Sequence, residues 1–318
     1  MIFYYVRFMA KNQIESIYIL GLGAMGAMYA AKLYDWRPES VRIIAGPARR
    51  ATLERSGITI NGKAYVFQYV SPGEPSPPAD LVIVAVKSTQ LAQGIRDMHG
   101  FIGKDTVVLS LLNGISSEEM IGGEIGMEHL LYAYGIGMDA VREGSDIRYT
   151  NPGRIVFGEK NNEVLSDRVL AIRDLFERAQ IPYHIPADMQ RALWSKFMMN
   201  TGINQVSAVL RAPYGLFQQN EDARKLMLMA SQEVLVLSRH CGIELDQSDV
   251  AEFVRVLDSL DPVGKTSMLQ DIEAGRRSEV DLFAGTVVGL GKKHGVPTPV
   301  NETLLRIIRV MEETTELR

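Results

Sequence analysis

The chain has 318 residues, enough for two domains with full hydrophobic cores and too many for a disulfide-stapled miniprotein. Hydrophobic residues make up 46% and charged residues 23%, a globular composition rather than a disordered one. Lys plus Arg number 34 against 38 Asp plus Glu, a net charge of -4, so there is no cationic excess to hold a phosphate backbone and nucleic acid is not expected as a partner. Cys241 stands alone, which rules out an internal disulfide, and His99, His129, His184, His240 and His294 are scattered without metal-ligand spacing. No run reaches the roughly 18 apolar residues of a membrane span, and the first sixteen residues lack both an apolar signal core and a cleavage site. The expectation is a cytoplasmic protein with no metal and no membrane partner.

Residues 1–15 precede the first strand signal and read as a loose extension, with Met9 as an alternative start. Ile17 to Leu20 is a short apolar run that leads into Gly21-Leu22-Gly23-Ala24-Met25-Gly26 and then into the helix formers Ala27 to Leu33, a strand, tight turn and helix. Val41 to Ala45 supplies the second strand of a βαβ unit. Ile58 to Val70 alternates around Asn61-Gly62, which predicts a hairpin, and a Pro-rich loop follows at 71–78.

Leu81 to Val86 and Val107 to Leu112 are continuous apolar runs, as expected of parallel strands covered on both faces. Lys87 and Asn113 follow them directly, at the carboxyl ends where open α/β sheets bind ligands. Tyr132 to Gly158 is rich in glycine and strand signals, and Ile181 to Pro186 is a last extended piece. Helical stretches dominate thereafter: Met189 to Leu210, Glu221 to His240, Val250 to Leu257, Val280 to Lys293 and Glu302 to Glu313. The sequence thus predicts an α/β Rossmann-type doubly wound parallel sheet at 1–186 followed by an all-helical domain at 187–318, with a cleft between them.

Gly21, Gly23 and Gly26 match the dinucleotide fingerprint: one glycine for the turn, one for close approach of the pyrophosphate, one for helix-strand packing. An NAD site usually places an acid at the end of the second strand, but here Ala45-Gly46 stands there, with Arg49 and Arg50 just beyond. That arrangement favours NADPH, whose 2′-phosphate either arginine could meet; a solvated helix start is the plainer account of both.

Lys196, Asn200 and Asn204 recur at i, i+4 and i+8 and share one helix stripe among Trp194, Phe197, Met198, Met199 and Ile203. A lysine with two amides suits proton donation and substrate hydrogen bonding; chance polar positions on a half-exposed face are the alternative. Ser267-Met-Leu-Gln270 and Ser278-Glu279-Val-Asp281 have capping-box spacing, so both serines read as N-caps and Glu279 as a first-turn acid. Gly289-Leu-Gly291 reads as packing and C-cap glycine, and His240-Cys241 as helix-end packing.

Taken together, the GLGAMG turn, Val84-Ala-Val-Lys-Ser88, Leu111-Leu-Asn-Gly114, the Trp194-Ser-Lys196-x-x-x-Asn200-x-x-x-Asn204 helix, and Thr266-Ser-Met-Leu-Gln-Asp271 followed by Ser278-Glu-Val-Asp281 resemble the ketopantoate reductases (2-dehydropantoate 2-reductases), from about Ser16 to the carboxyl terminus. The resemblance implies that the glycine turn binds NADPH and that Lys87 and Asn113 contact cofactor or substrate. It also implies that Lys196 is the general acid, and that Asn200, Asn204, Ser267 and Glu279 bind or polarise a small 2-oxo acid, ketopantoate being reduced to pantoate for coenzyme A synthesis. The helical domain would then carry substrate binding and, in a homodimer, dimerisation. Besides Gly46, which stands at the end of the second strand where the family often has Arg, two positions depart from the family: Tyr214 and Gly264 stand where some members have Asn. A β-hydroxyacid dehydrogenase, with the same pairing of domains, and a non-enzymatic NADPH-binding redox sensor are the competing expectations.

Overall fold

The computed structural model describes residues 13–316. Most of the expected amino-terminal extension, Met9 included, lies outside the described residues. Ile14 is already buried, and the backbone N–H groups of Glu15 and Ser16 both donate to Asp80 Oδ2 at 2.9 Å, so the chain is anchored before the first strand.

The chain divides into two compact units between Met189 and Gln190. The strands of the first are β1 (Ile17–Leu20), β2 (Val41–Ile44), β3 (Ile58–Ile60), β4 (Lys63–Tyr65), β5 (Gln68–Val70), β6 (Ala79–Val84), β7 (Ile102–Ser110), β8 (Leu130–Met138), β9 (Val141–Glu143), β10 (Asp146–Arg148), β11 (Pro152–Gly158) and β12 (Tyr183–His184). Its helices are α1 (Ala24–Trp36), α2 (Pro47–Ser56), α3 (Leu91–Met98), α4 (Ser117–Ile125) and α5 (Asp167–Arg178).

Eight strands form one sheet in the order β12-β11-β8-β7-β6-β1-β2-β5, and the run from β5 to β8 is entirely parallel. Counted along the chain, those six strands lie in the order 3-2-1-4-5-6, the doubly wound arrangement whose crossover between β1 and β6 opens a ligand crevice at the strands' carboxyl ends. The continuous apolar runs have the cause the sequence suggested. Ile17 and Ile19 pack with Leu81 and Ile83 in one core, while Tyr18 and Leu20 pack with Val82 and Val84 in another. Both faces are therefore covered.

The expected hairpin exists but is shorter than its alternating pattern. Asn61 and Gly62, with φ of +49° and +79°, turn β3 into β4, the backbone that a two-residue hairpin loop requires. After Tyr65 the chain leaves the hairpin, exposes Val66, buries Phe67, and pairs β5 in parallel with β2 instead. β3 and β4 belong to a second sheet, in the order β4-β3-β10-β9.

The second unit holds α6 (Met189–Leu210), α7 (Tyr214–Gln219), α8 (Glu221–His240), α9 (Gln247–Ser259), α10 (Ser267–Glu273), a π turn (Asp281–Gly285), α11 (Thr286–His294) and α12 (Pro299–Glu316). The division falls three residues later than the sequence placed it. Ala187 and Lys160 accept from Asn162 and Met189 backbone N–H groups, and Asp188 bridges to Asn161, so residues 187–189 stay with the first unit. Glu233 on α8 accepts from the backbone N–H groups of Val300 and Asn301 at 2.8 and 3.0 Å, which holds the start of α12. Gly291 is a packing glycine, since a Cβ there would lie 2.7 Å from Val296 O, and the left-handed C-cap is Gly295.

Candidate functional site

In the first unit the carboxyl ends of the adjacent strands β1, β6 and β7 bring the glycine turn, Lys87 and Asn113 to one sheet edge. The three glycines have different physical reasons. Gly21 has φ +102° and a Cβ there would lie 2.6 Å from Ala85 O; at Gly26 it would lie 2.0 Å from Gly21 O. Both are demanded by the fold. Gly23 is not: its φ is -67°, its nearest neighbour to a Cβ would be 3.9 Å away, and it is exposed. A side chain there would only stand in the way of something approaching the turn. Gly23 is also the N-cap of α1, which has no capping side chain and no acid in its first turn, so its leading N–H groups point to an anion. These residues fit a dinucleotide pyrophosphate.

Lys87 is exposed and Asn113 half-buried. The turn that carries Asn113 is held by a buried relay that sequence reasoning missed. Ser110 Oγ on β7 donates to Ser117 Oγ at 2.8 Å, Ser117 Oγ to Glu118 Oε2 at 2.9 Å, and Ala133 N–H on β8 to Glu118 Oε1 at 3.4 Å. Only the third link spans distant elements, so nothing local in the sequence signals it.

Arg49 and Arg50 have different fates. Arg50 is engaged by Glu54 at 2.9 Å and Glu74 at 3.3 Å. Arg49, in the first turn of α2, is exposed and, among the described residues, meets no carboxylate. An arginine not singled out from the sequence joins it: Arg142 on β9 donates from Nη1 to Leu22 O in the centre of the glycine turn and from Nε to Gly144 O at 2.8 Å. Burial, and then the nearby Arg49 charge, push the Arg142 guanidinium below its ordinary value. Tyr69 on β5 senses the same pair; burial and then the Glu54 carboxylate raise its phenol, and Arg49 and Arg142 oppose that shift.

In the second unit α6 presents Lys196 and Asn200 half-buried and Asn204 at 6% exposure, with Trp194, Phe197, Met198 and Ile203 buried beside them. Phe197 stacks on Phe283 of the π turn, centroids 6.3 Å apart, and meets Trp194 edge-on at 6.0 Å. Glu279 lies two residues before that turn. Its carbonyl accepts from Leu282 and Phe283 N–H at 3.0 and 3.2 Å, the N-cap of the turn is Val280, and the Glu279 side chain is half-buried.

Both expected capping boxes are corrected. Thr266, not Ser267, caps α10, accepting from Leu269 N–H at 3.2 Å and donating to Ser207 Oγ of α6 at 3.1 Å. Ser267 is the first helical residue and is exposed, which removes the structural explanation for it. Ser278 Oγ accepts from Val280 N–H at 3.3 Å but the box partner Asp281 is not bonded to it; the Ser278 N–H and Oγ instead reach Glu312 Oε1 at 2.8 and 2.6 Å. Two of the departures from the family pattern prove to be neighbours. Tyr214 N–H donates to Gly264 O at 3.0 Å, and a Cβ at residue 264 would lie 3.0 Å from the Tyr214 ring.

Among the described residues no three metal-ligating side chains cluster, and no helix is long and apolar enough to cross a membrane. Two family models match the chain: "Ketopantoate reductase PanE/ApbA" over residues 17–162 and "Ketopantoate reductase PanE/ApbA C terminal" over residues 188–312. The 2-dehydropantoate 2-reductase of Pyrococcus abyssi is 26% identical over 93% of this chain and 97% of its own length. Among solved structures, D-mandelate dehydrogenase in complex with NADH superposes with a TM-score of 0.84 at 24% identity, covering 94% of this chain and 99% of its own. A dimeric ketopantoate reductase from Staphylococcus aureus gives 0.78 at 20% identity, covering 94% and 99%. At these identities the structural likeness is one of fold.

Proposed function

The chain belongs to the ketopantoate reductase PanE/ApbA family of oxidoreductases, and we propose that it reduces a small 2-oxo acid with NADPH, ketopantoate giving pantoate being the preferred reaction. The exposed, sterically unforced Gly23 at the head of an uncapped helix supports dinucleotide binding most directly. Gly21 to Gly26 would hold the pyrophosphate, and Arg49 rather than the carboxylate-bound Arg50 would answer the 2′-phosphate. When bound, the reduced nicotinamide supplies the hydride that reduces the ketone carbon.

Lys196 stabilises the developing alkoxide and donates the proton that completes the alcohol. Asn200 and Asn204, one and two turns along the same stripe, hold the carboxylate and ketone, and Asn113 and Lys87 at their strand ends contact the cofactor. Ser267, released from capping, and Glu279, half-buried two residues before the π turn, bind the substrate's polar tail. The helical unit takes the substrate and, on the precedent of the dimeric relative, the contact with a second copy.

Turnover of a panel of hydroxylated, aliphatic and aromatic 2-oxo acids, followed by NADPH absorbance and repeated with NADH, tests the reading. The expected result is the highest kcat/KM for ketopantoate with NADPH. Oxidation of 3-hydroxy acids without reduction of any 2-oxo acid would replace it with the β-hydroxyacid dehydrogenase reading, and cofactor binding without any turnover would point to a sensor.

A further inference from the structure

We propose that Arg142, on β9 of the small sheet, forms with Arg49 a two-arginine clamp for the cofactor's ribose 2′-phosphate and so sets the preference for the phosphorylated dinucleotide; this rests on the NADPH reading above. The two residues are far apart in sequence and come from different elements, and Arg142 itself reaches the glycine turn. Arg49 comes from the first turn of α2, directly after the strand β2 that neighbours β1. Arg142 comes from β9, paired with Ile147 of β10, and its Nη1 lies on the carbonyl of Leu22.

The charges around Arg142 make the case. A guanidinium carries five N–H donors. Among the described residues Arg142 spends them on two neutral backbone carbonyls, those of Leu22 and Gly144, and meets no carboxylate. It is half-buried beside a second arginine that also lacks one. Arg142 is half-buried and Arg49 exposed, and like charges held beside one another are unfavourable unless an anion joins them. Arg50, one residue from Arg49, shows the opposite arrangement, with Glu54 and Glu74 already on its guanidinium. The α2 start contributes to the same end: its N-cap is Gly46, with no capping side chain and no acid in its first turn. Tyr69, half-buried and on β5 opposite Ile43 of β2, lies within electrostatic reach of both arginines and of Glu54.

A ribose phosphate held next to the Leu22 carbonyl would be met by two planar forks from opposite elements, the geometry in which arginine outperforms lysine. The Leu22 contact also fixes where the Arg142 fork sits relative to the turn, so the clamp is positioned before the ligand arrives.

Calorimetric titration of the purified protein with 2′,5′-ADP and with 5′-AMP tests this without turnover. Wild type is expected to bind 2′,5′-ADP more tightly. R142Q should lose about ten- to a hundredfold of that affinity while keeping its 5′-AMP affinity, which also shows that it has folded. R142K should recover part of the loss, and the residual binding in R142Q should depend less on salt. Equal weakening of both probes in R142Q would mean that Arg142 only buttresses the turn, and unchanged binding of both would mean that it does nothing there; either overturns the proposal while leaving the NADPH reading standing. A wild type that does not discriminate the two probes would instead overturn the NADPH reading, and the clamp with it.

Discussion

Phe197 lies stacked on Phe283, centroids 6.3 Å apart and planes inclined by 22°, and this contact joins the helix of Lys196 to the segment that begins at Glu279. Each ring is one to four residues from a polar side chain assigned to substrate. The stack is therefore a rigid spacer between Lys196 and Glu279, the proposed acid-base and binding groups, and rigidity is what would position both.

Lys196→Ala should lower kcat by about 10²- to 10⁴-fold with little change in the affinity for NADPH, the signature of a lost general acid. Glu279→Gln should leave the melting temperature nearly unchanged, reduce kcat/KM strongly for a hydroxylated 2-oxo acid and less for its deoxy analogue. Steady-state kinetics on the two substrates check this. Equal losses on both would remove the hydroxyl contact from Glu279.

Thr266 and Ser267 are adjacent; the first caps α10, and the second is exposed and proposed to bind substrate. Thr266→Ala removes a cap and the bond to Ser207, so it should cost about 1 to 2 kcal/mol of stability. Ser267→Ala should leave the melting curve in place and raise KM for the 2-oxo acid. Thermal melts and kinetics on the pair separate them; a melting shift confined to Ser267→Ala would contradict the cap assignment.

Asp246 caps α9. Hydrogen bonds from the Ser248 hydroxyl and backbone N–H, aided by Arg191, push its carboxyl down to about 2. A carboxyl depressed on folding contributes stability that is present above its unfolded value of 3.8 and lost as the pH falls through the folded value. The melting-temperature gap between wild type and Asp246→Asn should thus be constant near neutrality and shrink between about pH 4 and pH 2. Thermal scans of both proteins across that window measure it, and a gap that does not change with pH would refute the assignment.

Gly264→Asn brings a Cβ to 3.0 Å from both the Tyr214 ring and the Asp261 carbonyl oxygen and should destabilise the protein, and a Tyr214→Asn background removes the first of these two contacts. The two substitutions should be strongly non-additive, with a coupling of about 0.5 to 3 kcal/mol. A double-mutant cycle by denaturant unfolding gives the value, and additivity would show that the ring moves aside freely.

Much of the nucleotide-binding unit was legible because its signals are local. An apolar run, a glycine turn and a run of helix formers sit within seventeen residues and mean one thing, and Lys87 and Asn113 could be placed because they terminate continuous apolar strands. What was misplaced or missed depends on distant partners. Ser267 was read as the cap because its spacing to Gln270 imitates a capping box, but Thr266 can also bond Ser207 of α6 and takes the position. Ile58 to Val70 looked like one hairpin because alternation does not reveal that the edge of β2 will take β5. Arg142 could not be found at all, since a lone arginine in a three-residue strand carries no mark of the turn 120 residues earlier to which it bonds.

The parallel pairing of β3 with β10 carries a cost that falls during synthesis. Asn61 and Tyr149 bond each other in both directions, at 3.0 and 2.9 Å, across 88 residues of chain. At about 5 to 20 residues per second, a ribosome leaves the first partner waiting several seconds for the second. Ile58, Ile60 and Tyr65, buried in the finished protein, spend that interval without β10 beside them. Nascent chains stalled short of residue 141 should therefore be held by chaperones more than chains stalled well beyond 150, and equal retention of the two would show that the hairpin finds cover elsewhere.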